Sequence, residues 1–256
     1  MAAVGGLHFN RGAKRARDAR AALALSPDTP LDCILTIVEE RAEVPAVFLA
    51  LDAEVAGWYL PAPLIFLNGD HPAVRLRFTL AHELGHHWMR HGRMVDHVET
   101  LYDRHDPREI EANAFAAEFL TPKAAVQRFM EERAGAKVSL DLVVRLAARF
   151  GISAQAALIR LHTADALPTG SLYNRLNDEI EEGMHLMLAG ALGLTDKADG
   201  VARAREEVPR VPSALSASPM AAFLAGRTDV EGLAHMTGCS VAEAQGAVDE
   251  LLVWGS

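Results

Sequence analysis

Two histidines four residues apart, His82 and His86, place the strongest constraint on how this chain folds. They open and close the pentapeptide HELGH. On an α-helix, residues four positions apart project from the same face, about one turn apart. The segment from Pro72 to His91 has no helix breaker after its first turn except Gly85, so it is predicted to form such a helix. The two imidazoles can then bind a single metal ion.

Glu83, next to the first histidine, gives the motif a chemistry beyond metal binding. From the helix it can take a proton from a water molecule activated by the metal, and later protonate the leaving amine of a cleaved peptide bond. A structural zinc site is normally closed by four protein ligands and needs no general base. Chance in a His-rich segment is the alternative explanation. The motif itself indicates metal-assisted peptide hydrolysis, with Glu83 as the catalytic base.

A catalytic zinc needs a third protein ligand from another segment. Glu109 and Glu111, on a helix predicted to begin at Asp106, are the leading candidates. Glu109 lies one turn before Asn113, so its carboxylate can bind metal while the amide supports another ligand. Asp106 and Glu109 also have the spacing of a capping box, which needs no metal. Weaker alternatives are His91, His97 and His105. The residues alone leave these assignments open.

Composition narrows the class of protein. The formal net charge of -9 argues against a dedicated nucleic-acid binder, because phosphate contacts require clustered Lys and Arg. Direct DNA binding through one N-terminal cluster stays open, although a solvated helix face explains it about as well: Arg11, Lys14, Arg15, Arg17 and Arg20. The two cysteines lack a CxxC spacing. Without an apolar run of about 18 residues, we expect no membrane segment and a cytoplasmic protein.

The hydrophobic pattern predicts an α+β fold. After a core-facing helix that starts near Pro30, three strand-like runs follow: Val44–Leu51, Val55–Leu60 and Leu64–Asn68. Interrupted by prolines and glycine, they are interpreted as a small antiparallel sheet next to the active-site helices. The last run precedes the motif helix. It is either an edge strand that pairs with extended substrate or an ordinary core strand.

The chain is predicted to divide into a metallopeptidase domain, residues 1–165, and a helical C-terminal region, residues 166–256. Within the first, residues 139–162 flank Phe150-Gly151 with apolar helical stripes, which is typical of a helix-turn-helix arrangement. We expect this pair to pack against the catalytic part or to dock a repressor. In the second, the stretch 209–219 is rich in Pro, Ser and Ala and indicates a linker.

Two sequence blocks resemble the ImmA/IrrE family of metallo-endopeptidases: RFTLAHELGHHWMRH, residues 77–91, and EIEANAFAAEFLTP, residues 109–122. The resemblance extends more loosely from about residue 30 to residue 160 and fades beyond. It implies a zincin-like, gluzincin-type domain in which both motif histidines and Glu109 bind Zn²⁺, with Glu83 as the catalytic base. Because Glu109 matches the first glutamate of the family's E-x-E-A-N block, the resemblance favours it over Glu111.

The resemblance also implies a protein substrate: a helix-turn-helix transcriptional repressor whose cleavage derepresses stress-response, mobile-element or defence genes. Two other functions remain alternatives. One is a non-hydrolytic regulator, stapled by metal, that binds DNA or a repressor. The other is a peptidase toxin of a toxin-antitoxin pair.

The loop between the two ligand helices offers groups for the oxyanion that develops during peptide hydrolysis. Tyr102 and His105 lie on this loop and are candidate oxyanion stabilisers.

Overall fold

The HELGH motif lies on a long helix packed between a four-stranded sheet and a second long helix. A computed structural model describes residues 2–60, 64–92, 94–97, 106–133, 136–194, 200–215 and 218–253. In chain order the first elements are α1 (Ala2–Ala22), α2 (Ile34–Thr36) with a π-helical continuation (Ile37–Arg41), β1 (Ala46–Leu49), β2 (Val55–Leu60), β3 (Leu64–Asn68), the motif helix α3 (Ala73–Met89), β4 (Met94–His97) and α4 (Pro107–Leu120).

The remainder of the described chain is helical. Its elements are α5 (Lys123–Glu131), α6 (Leu140–Phe150), α7 (Ala154–Thr163), α8 (Ser171–Glu181), α9 (Met184–Ala191), α10 (Gly200–Glu206), a 3₁₀ turn (Ser213–Leu215), α11 (Pro219–Leu224), α12 (Val230–Thr237) and α13 (Val241–Val253). The predicted α+β class with a helical C-terminal part is therefore confirmed.

The sheet has the strand order β1-β3-β2-β4. Strand β2 is antiparallel to both β3 and β4, but β1 pairs with β3 in parallel. The prediction of a purely antiparallel sheet is wrong at this pairing. The chain changes direction from β1 to β2 and again from β2 to β3, so β3 is parallel to β1. In the sheet, β3 lies between β1 and β2. Because β3 is an inner strand, Leu64–Asn68 is the core strand of the two alternatives.

Two glycines allow α3 to approach its neighbours. A Cβ at Gly57, on β2, would lie 2.6 Å from the Phe66 carbonyl oxygen and 3.3 Å from a carboxylate oxygen of Glu83. A Cβ at Gly85, on α3, would lie 3.1 Å from the Phe115 ring of α4. The motif helix is thus in close contact with the sheet on one side and with α4 on the other.

Helix α1 lies along α4, and this packing uses most of the N-terminal basic cluster. Arg11 pairs with Glu111 at 3.1 Å, and Arg17 pairs with Glu118 at 3.3 Å. Arg20 is buried and donates to the Phe119 carbonyl oxygen at 2.5 Å. Three of the five basic side chains therefore hold α1 in place, while those of Lys14 and Arg15 are exposed.

The helix pair predicted around Phe150-Gly151 is present as α6 and α7, bent by 102°. Gly151 has a φ of 63°, in the left-handed region that favours glycine at a helix C-terminus. The buried Arg77 of α3 donates to its carbonyl oxygen at 3.0 Å and to that of Phe150 at 3.3 Å. The turn between the two helices is consequently fixed to the motif helix, as expected for packing against the catalytic part.

Long apolar helices are not a feature of the described part of the chain. No single helix there combines the length and hydropathy needed to cross a membrane. Only α6 and α7 taken together are long and apolar enough, and the two helices are sharply bent relative to each other.

The main core continues beyond residue 165. Its C-terminal members are Leu167, Leu176, Ile180, Val201 and Ala204. Arg210 then forms a bridge to Phe48 of β1 and an ion pair with Glu39. A separate apolar cluster unites α12 and α13 through Leu233, Ala234, Ala244 and Val248. The division after residue 165 and the linker at 209–219 remain predictions.

Candidate metal centre

Three side chains from two helices meet at the centre of the fold. His82 and His86 of α3 and Glu109 of α4 form a buried group whose ligand atoms all lie within 4.8 Å of one another. The two histidine Nε2 atoms are 2.9 Å apart. Nε2 of His82 lies 3.3 Å from Glu109 Oε2, and Nε2 of His86 lies 3.5 Å from Glu109 Oε1. The sequence-predicted ligand set is therefore brought together.

These distances fit a tetrahedral metal ion. With bonds of about 2.0–2.1 Å, as for zinc, two ligands of a tetrahedral ion are separated by about 3.3 Å. The three separations of 2.9, 3.3 and 3.5 Å bracket that value. Two imidazole lone pairs and a carboxylate this close together favour a cation between them. The group can hold a metal ion.

Asn113 fixes the orientation of the His82 ring. Its Oδ1 lies 3.0 Å from Nδ1 of His82, one turn beyond Glu109 on α4. When Nδ1 donates to this oxygen, the proton is on Nδ1 and the Nε2 lone pair is directed into the cluster. Such contacts raise the basicity of a ligand and hold its ring in place. The contact is the one expected of the predicted supporting role of Asn113.

His86 has a different partner on the equivalent atom. Its Nδ1 lies 2.9 Å from Nδ1 of His91, in the segment after α3. Nε2 of His91 lies 3.3 Å from Glu111 Oε2 on α4. Burial lowers the pKa of His91 below its ordinary value, and the Glu111 carboxylate opposes this effect.

Glu109 and the cap of α4 are separate features. Asp106 caps the helix, because its carboxylate accepts a hydrogen bond from the Arg108 backbone N–H at 2.8 Å. The Glu109 carboxylate is instead next to the two histidines. Glu109 thus belongs to the group that could hold a metal ion, whereas Asp106 caps α4.

Glu83 is fully buried on α3, on the side that faces β2. Its Oε1 lies beside Gly57 of β2, where any side chain would press on it. Glu83 is adjacent to His82 in the chain and is not one of the three members of the metal-binding group. A group of three protein ligands is typical of a catalytic metal site, in which the fourth position is left for water or substrate.

A comparison with protein families agrees with this geometry. Residues 40–162 match the family model described as Peptidase_M78, IrrE N-terminal-like domain. This match, over slightly less than half of the chain, supports an ImmA/IrrE family peptidase. The matched segment contains α3 and α4, and therefore every residue of the cluster. It also contains α6 and most of α7. No curated protein matches the chain.

The family match indicates a metallopeptidase, and of the remaining predicted site residues one lies in the described part of the chain. Glu111, the alternative metal ligand, contacts His91, His8 and Arg11 and is absent from the metal-binding group of the described residues. Tyr102 and His105, the candidate oxyanion stabilisers, lie outside the described residues.

The link from His86 through His91 to Glu111 was missed by sequence reasoning. The spacing of five residues between the two histidines gives no pattern for it, because His91 lies beyond the end of α3. Arg90, with a φ of 56°, ends the helix in the left-handed region and turns the chain back. A residue in this conformation before a histidine cannot be recognised from periodicity.

Proposed function

We propose that this protein is a zinc-dependent endopeptidase in which His82, His86 and Glu109 bind the metal and Glu83 is the catalytic base. The observation that carries the proposal is the buried group of two imidazoles and one carboxylate at tetrahedral spacing. Two histidines and a glutamate are a typical ligand set of catalytic zinc, with the fourth position left for substrate or water.

The bound zinc would act as a Lewis acid toward the scissile carbonyl and make a nearby water more acidic. Glu83 would take the proton from the attacking water and deliver it to the amine of the leaving peptide. The Glu83 side chain is buried where α3 packs on β2, which holds the carboxylate in place and excludes bulk water. Asn113 would hold the His82 ring during the cycle.

Zinc is proposed over other ions on the basis of the donor set. Two neutral imidazoles and one carboxylate suit zinc, whereas magnesium and calcium prefer sites made of oxygen atoms. Other transition-metal ions, such as cobalt and nickel, bind comparable sites. The family match supports metallopeptidase chemistry without specifying the ion.

A non-hydrolytic role, with zinc as a structural staple, is less well supported. Structural zinc sites are closed by four protein ligands. In the described residues the metal-binding group has three members, and a further buried glutamate, Glu83, follows His82 in the chain. This arrangement favours hydrolysis.

Strand β4 is the best place in the described sheet for an extended substrate. A peptide that adds to a sheet needs an outer strand, and β3 is an inner one. Strand β4 is the outer strand on the side of β2, and β2 contacts Glu83. At the opposite edge, β1 is engaged by Arg210. We therefore propose that substrate backbone pairs with β4.

For the substrate class we propose a helix-turn-helix transcriptional repressor, cleaved so that stress, mobile-element or defence genes are expressed. The support is the resemblance of both active-site blocks to the ImmA/IrrE family, together with the family match over residues 40–162. The acidic chain supports a protein substrate more than a nucleic acid.

The test compares wild type with Glu83→Gln, which keeps the size of the side chain but cannot accept a proton. Protein N-termini are profiled in cells that produce either protein, and each candidate substrate is then purified and incubated with zinc-loaded enzyme. We expect a new terminus in a helix-turn-helix protein with wild type only, and none after the metal is chelated.

Identical sets of termini from the two proteins, with zinc-loaded wild type inactive on the candidates, would contradict the peptidase proposal. A new terminus in another kind of protein would leave the peptidase standing and overturn the substrate class. Growth arrest caused by wild type but not by Glu83→Gln, without any repressor cleavage, would favour the toxin alternative.

A further inference from the structure

A continuous chain of hydrogen bonds leads from the metal-binding group to the N-terminal helix. Nδ1 of His86 lies 2.9 Å from Nδ1 of His91, and Nε2 of His91 lies 3.3 Å from Glu111 Oε2. The other carboxylate oxygen of Glu111 accepts from His8 Nδ1 at 2.6 Å and from Arg11 Nη1 at 3.1 Å. The side chains of His91, Glu111, His8 and Arg11 thus connect the metal-binding group to α1.

One arrangement of protons satisfies every contact in this chain. A metal on Nε2 of His86 leaves the proton on Nδ1, which then donates to Nδ1 of His91. That imidazole carries its own proton on Nε2 and donates it to the Glu111 carboxylate. The carboxylate is an acceptor only, and its remaining partners, His8 and Arg11, are donors. The contacts therefore select the tautomer of His86 that can bind metal through Nε2.

The packing of α1 on α4 does not by itself require this series of hydrogen bonds. Arg11 is 56% exposed, and exposed ion pairs contribute little to stability. The Glu111 side chain is nevertheless only 2% exposed, and that of His91 only 8%. A carboxylate buried to this extent costs free energy unless several donors satisfy it. Through its contact with His91, the buried Glu111 carboxylate is connected to His86 of the metal-binding group.

Two turns further along α4, Glu118 provides a comparison. It is also buried, and it also takes an arginine from α1, Arg17, at 3.3 Å. Its second partner is Arg160 of α7 at 2.8 Å, with no histidine in between. The ion pair of Arg17 and Glu118 therefore joins α1 to α4, as the pair of Arg11 and Glu111 does. The contacts of Glu118 with Arg17 and Arg160 do not lead to the metal-binding group.

We propose that His91 and Glu111 are positioning residues for the His86 ring, and that α1 completes this device through His8 and Arg11. The proposal rests on the metal site described under the proposed function. It assigns to Glu111 a role outside the ligand set. From α1 it involves only the contacts of His8 and Arg11 with the Glu111 carboxylate.

The test measures the zinc dissociation constant by competition with a chromophoric chelator, for wild type and for three variants, with folding checked by circular dichroism. Glu111→Ala and His91→Ala should each weaken zinc binding about 10- to 100-fold, the range found for partners of metal ligands. Arg17→Ala, the matched control, removes an α1 contact of the same kind and should leave zinc affinity unchanged.

Three further measurements separate positioning from general loss of structure. Glu111→Gln keeps an oxygen that accepts from His91 and should restore most of the affinity lost in Glu111→Ala. The double variant His91→Ala/Glu111→Ala should bind zinc no more weakly than His91→Ala, because the two residues act in series. With cobalt in place of zinc, the visible absorption spectrum should change in His91→Ala and Glu111→Ala but not in Arg17→Ala.

Zinc affinity equal to wild type in folded Glu111→Ala and His91→Ala would overturn the positioning role. An equal loss in Arg17→Ala would overturn it as well, and would attribute the effect to α1 docking in general. Failure of wild type itself to bind zinc or cobalt would instead overturn the proposed metal site, so the two failures are distinguishable.

Discussion

At the residue scale, the two histidine ligands are oriented by different means. His82 is held by the amide oxygen of Asn113, a neutral acceptor on the same helix as Glu109. His86 is held by His91, whose other nitrogen contacts the Glu111 carboxylate. In both cases the atom contacted is Nδ1, so both rings present Nε2 to the centre of the cluster.

Replacement of Asn113 tests the first of these contacts. Asn113→Leu removes the acceptor and should weaken zinc binding about 10- to 100-fold, because the His82 ring loses its orientation and its preferred tautomer. Asn113→Asp retains an acceptor oxygen and should bind zinc much more tightly than the leucine variant. Chelator competition measures both constants. Equal affinities of Asn113→Leu and wild type would show that the contact has no effect on the metal.

The residues of the cluster could be predicted from sequence because their chemistry and their spacing coincide. The interval of four between His82 and His86 and of four between Glu109 and Asn113 both follow from helix geometry. His91 and Glu111 could not be assigned in the same way. Their meeting depends on the left-handed Arg90 and on the crossing of α3 over α4, neither of which has a sequence pattern.

At the scale of elements, the close approach of β2 to α3 fixes the place of the catalytic base. Gly57→Ala would put a methyl group 2.6 Å from the Phe66 carbonyl oxygen and 3.3 Å from Glu83 Oε1. The strand must then shift, at a cost of about 1–3 kcal/mol in the free energy of unfolding. We expect a further loss of kcat, because the added methyl group and the shifted strand press on the Glu83 carboxylate.

Urea denaturation and cleavage assays measure the two effects of Gly57→Ala. Gly246→Ala is the control, since nothing lies within 4 Å of a Cβ at that position of α13. It should retain wild-type activity, and its stability should not fall. A folded Gly57→Ala protein with wild-type kcat and wild-type stability would contradict the close packing of β2 on α3.

The turn between β3 and α3 contains a buried histidine, His71, whose Nε2 donates to the Ala53 carbonyl oxygen at 3.1 Å. Burial lowers its pKa from 6.5, helped by Arg75 and opposed by Asp70. The unfolded chain therefore binds more protons than the folded one below about pH 6.5. The stability that the neutral ring contributes is present above that pH and is lost as the pH falls through the lowered pKa.

Metal-free wild type should accordingly show a lower Tm at pH 5.5 than at pH 7.5. Part of this decrease should be absent in His71→Gln, which keeps an N–H donor and does not titrate. Thermal denaturation of both proteins at the two pH values measures the difference. Equal decreases in Tm would rule out a contribution from His71.

Helices were easier to predict from sequence than the arrangement of strands. Asp106 caps α4, the helix predicted to begin there, and α6 ends at Gly151, within the turn predicted around Phe150-Gly151. The positions of β1, β2 and β3 were also approximately right, whereas β4 was not predicted. The order of the strands could not be predicted, because β1, β2 and β3 are all nearly continuous apolar runs and are all largely buried.

At the scale of the whole molecule, the main core does not end where the predicted peptidase domain ends. Leu167, Leu176 and Ile180 belong to it, as do Val201 and Ala204 of α10. Apolar periodicity predicts that α8 and α10 have a buried face, but it does not show which surface covers that face. For this reason a boundary near residue 165 was a reasonable expectation from sequence alone.

Truncation tests the extent of the core. A chain of residues 1–165 would expose the apolar surface that these C-terminal residues cover, so we expect it to unfold non-cooperatively or to aggregate. A chain of residues 1–215 retains α8, α10 and Arg210 and should unfold cooperatively and bind zinc. Thermal denaturation and zinc titration compare the two. Cooperative unfolding of residues 1–165 with full zinc affinity would contradict this view of the core.

The central claim is that two histidines and one glutamate hold a catalytic metal ion, and the metal content of the purified protein tests it most directly. Mass spectrometry should find about one zinc per chain in wild type and in Glu83→Gln, and much less in His82→Ala and Glu109→Ala. Zinc retained in full by folded Glu109→Ala, or its absence from zinc-supplied wild type, would contradict the claim.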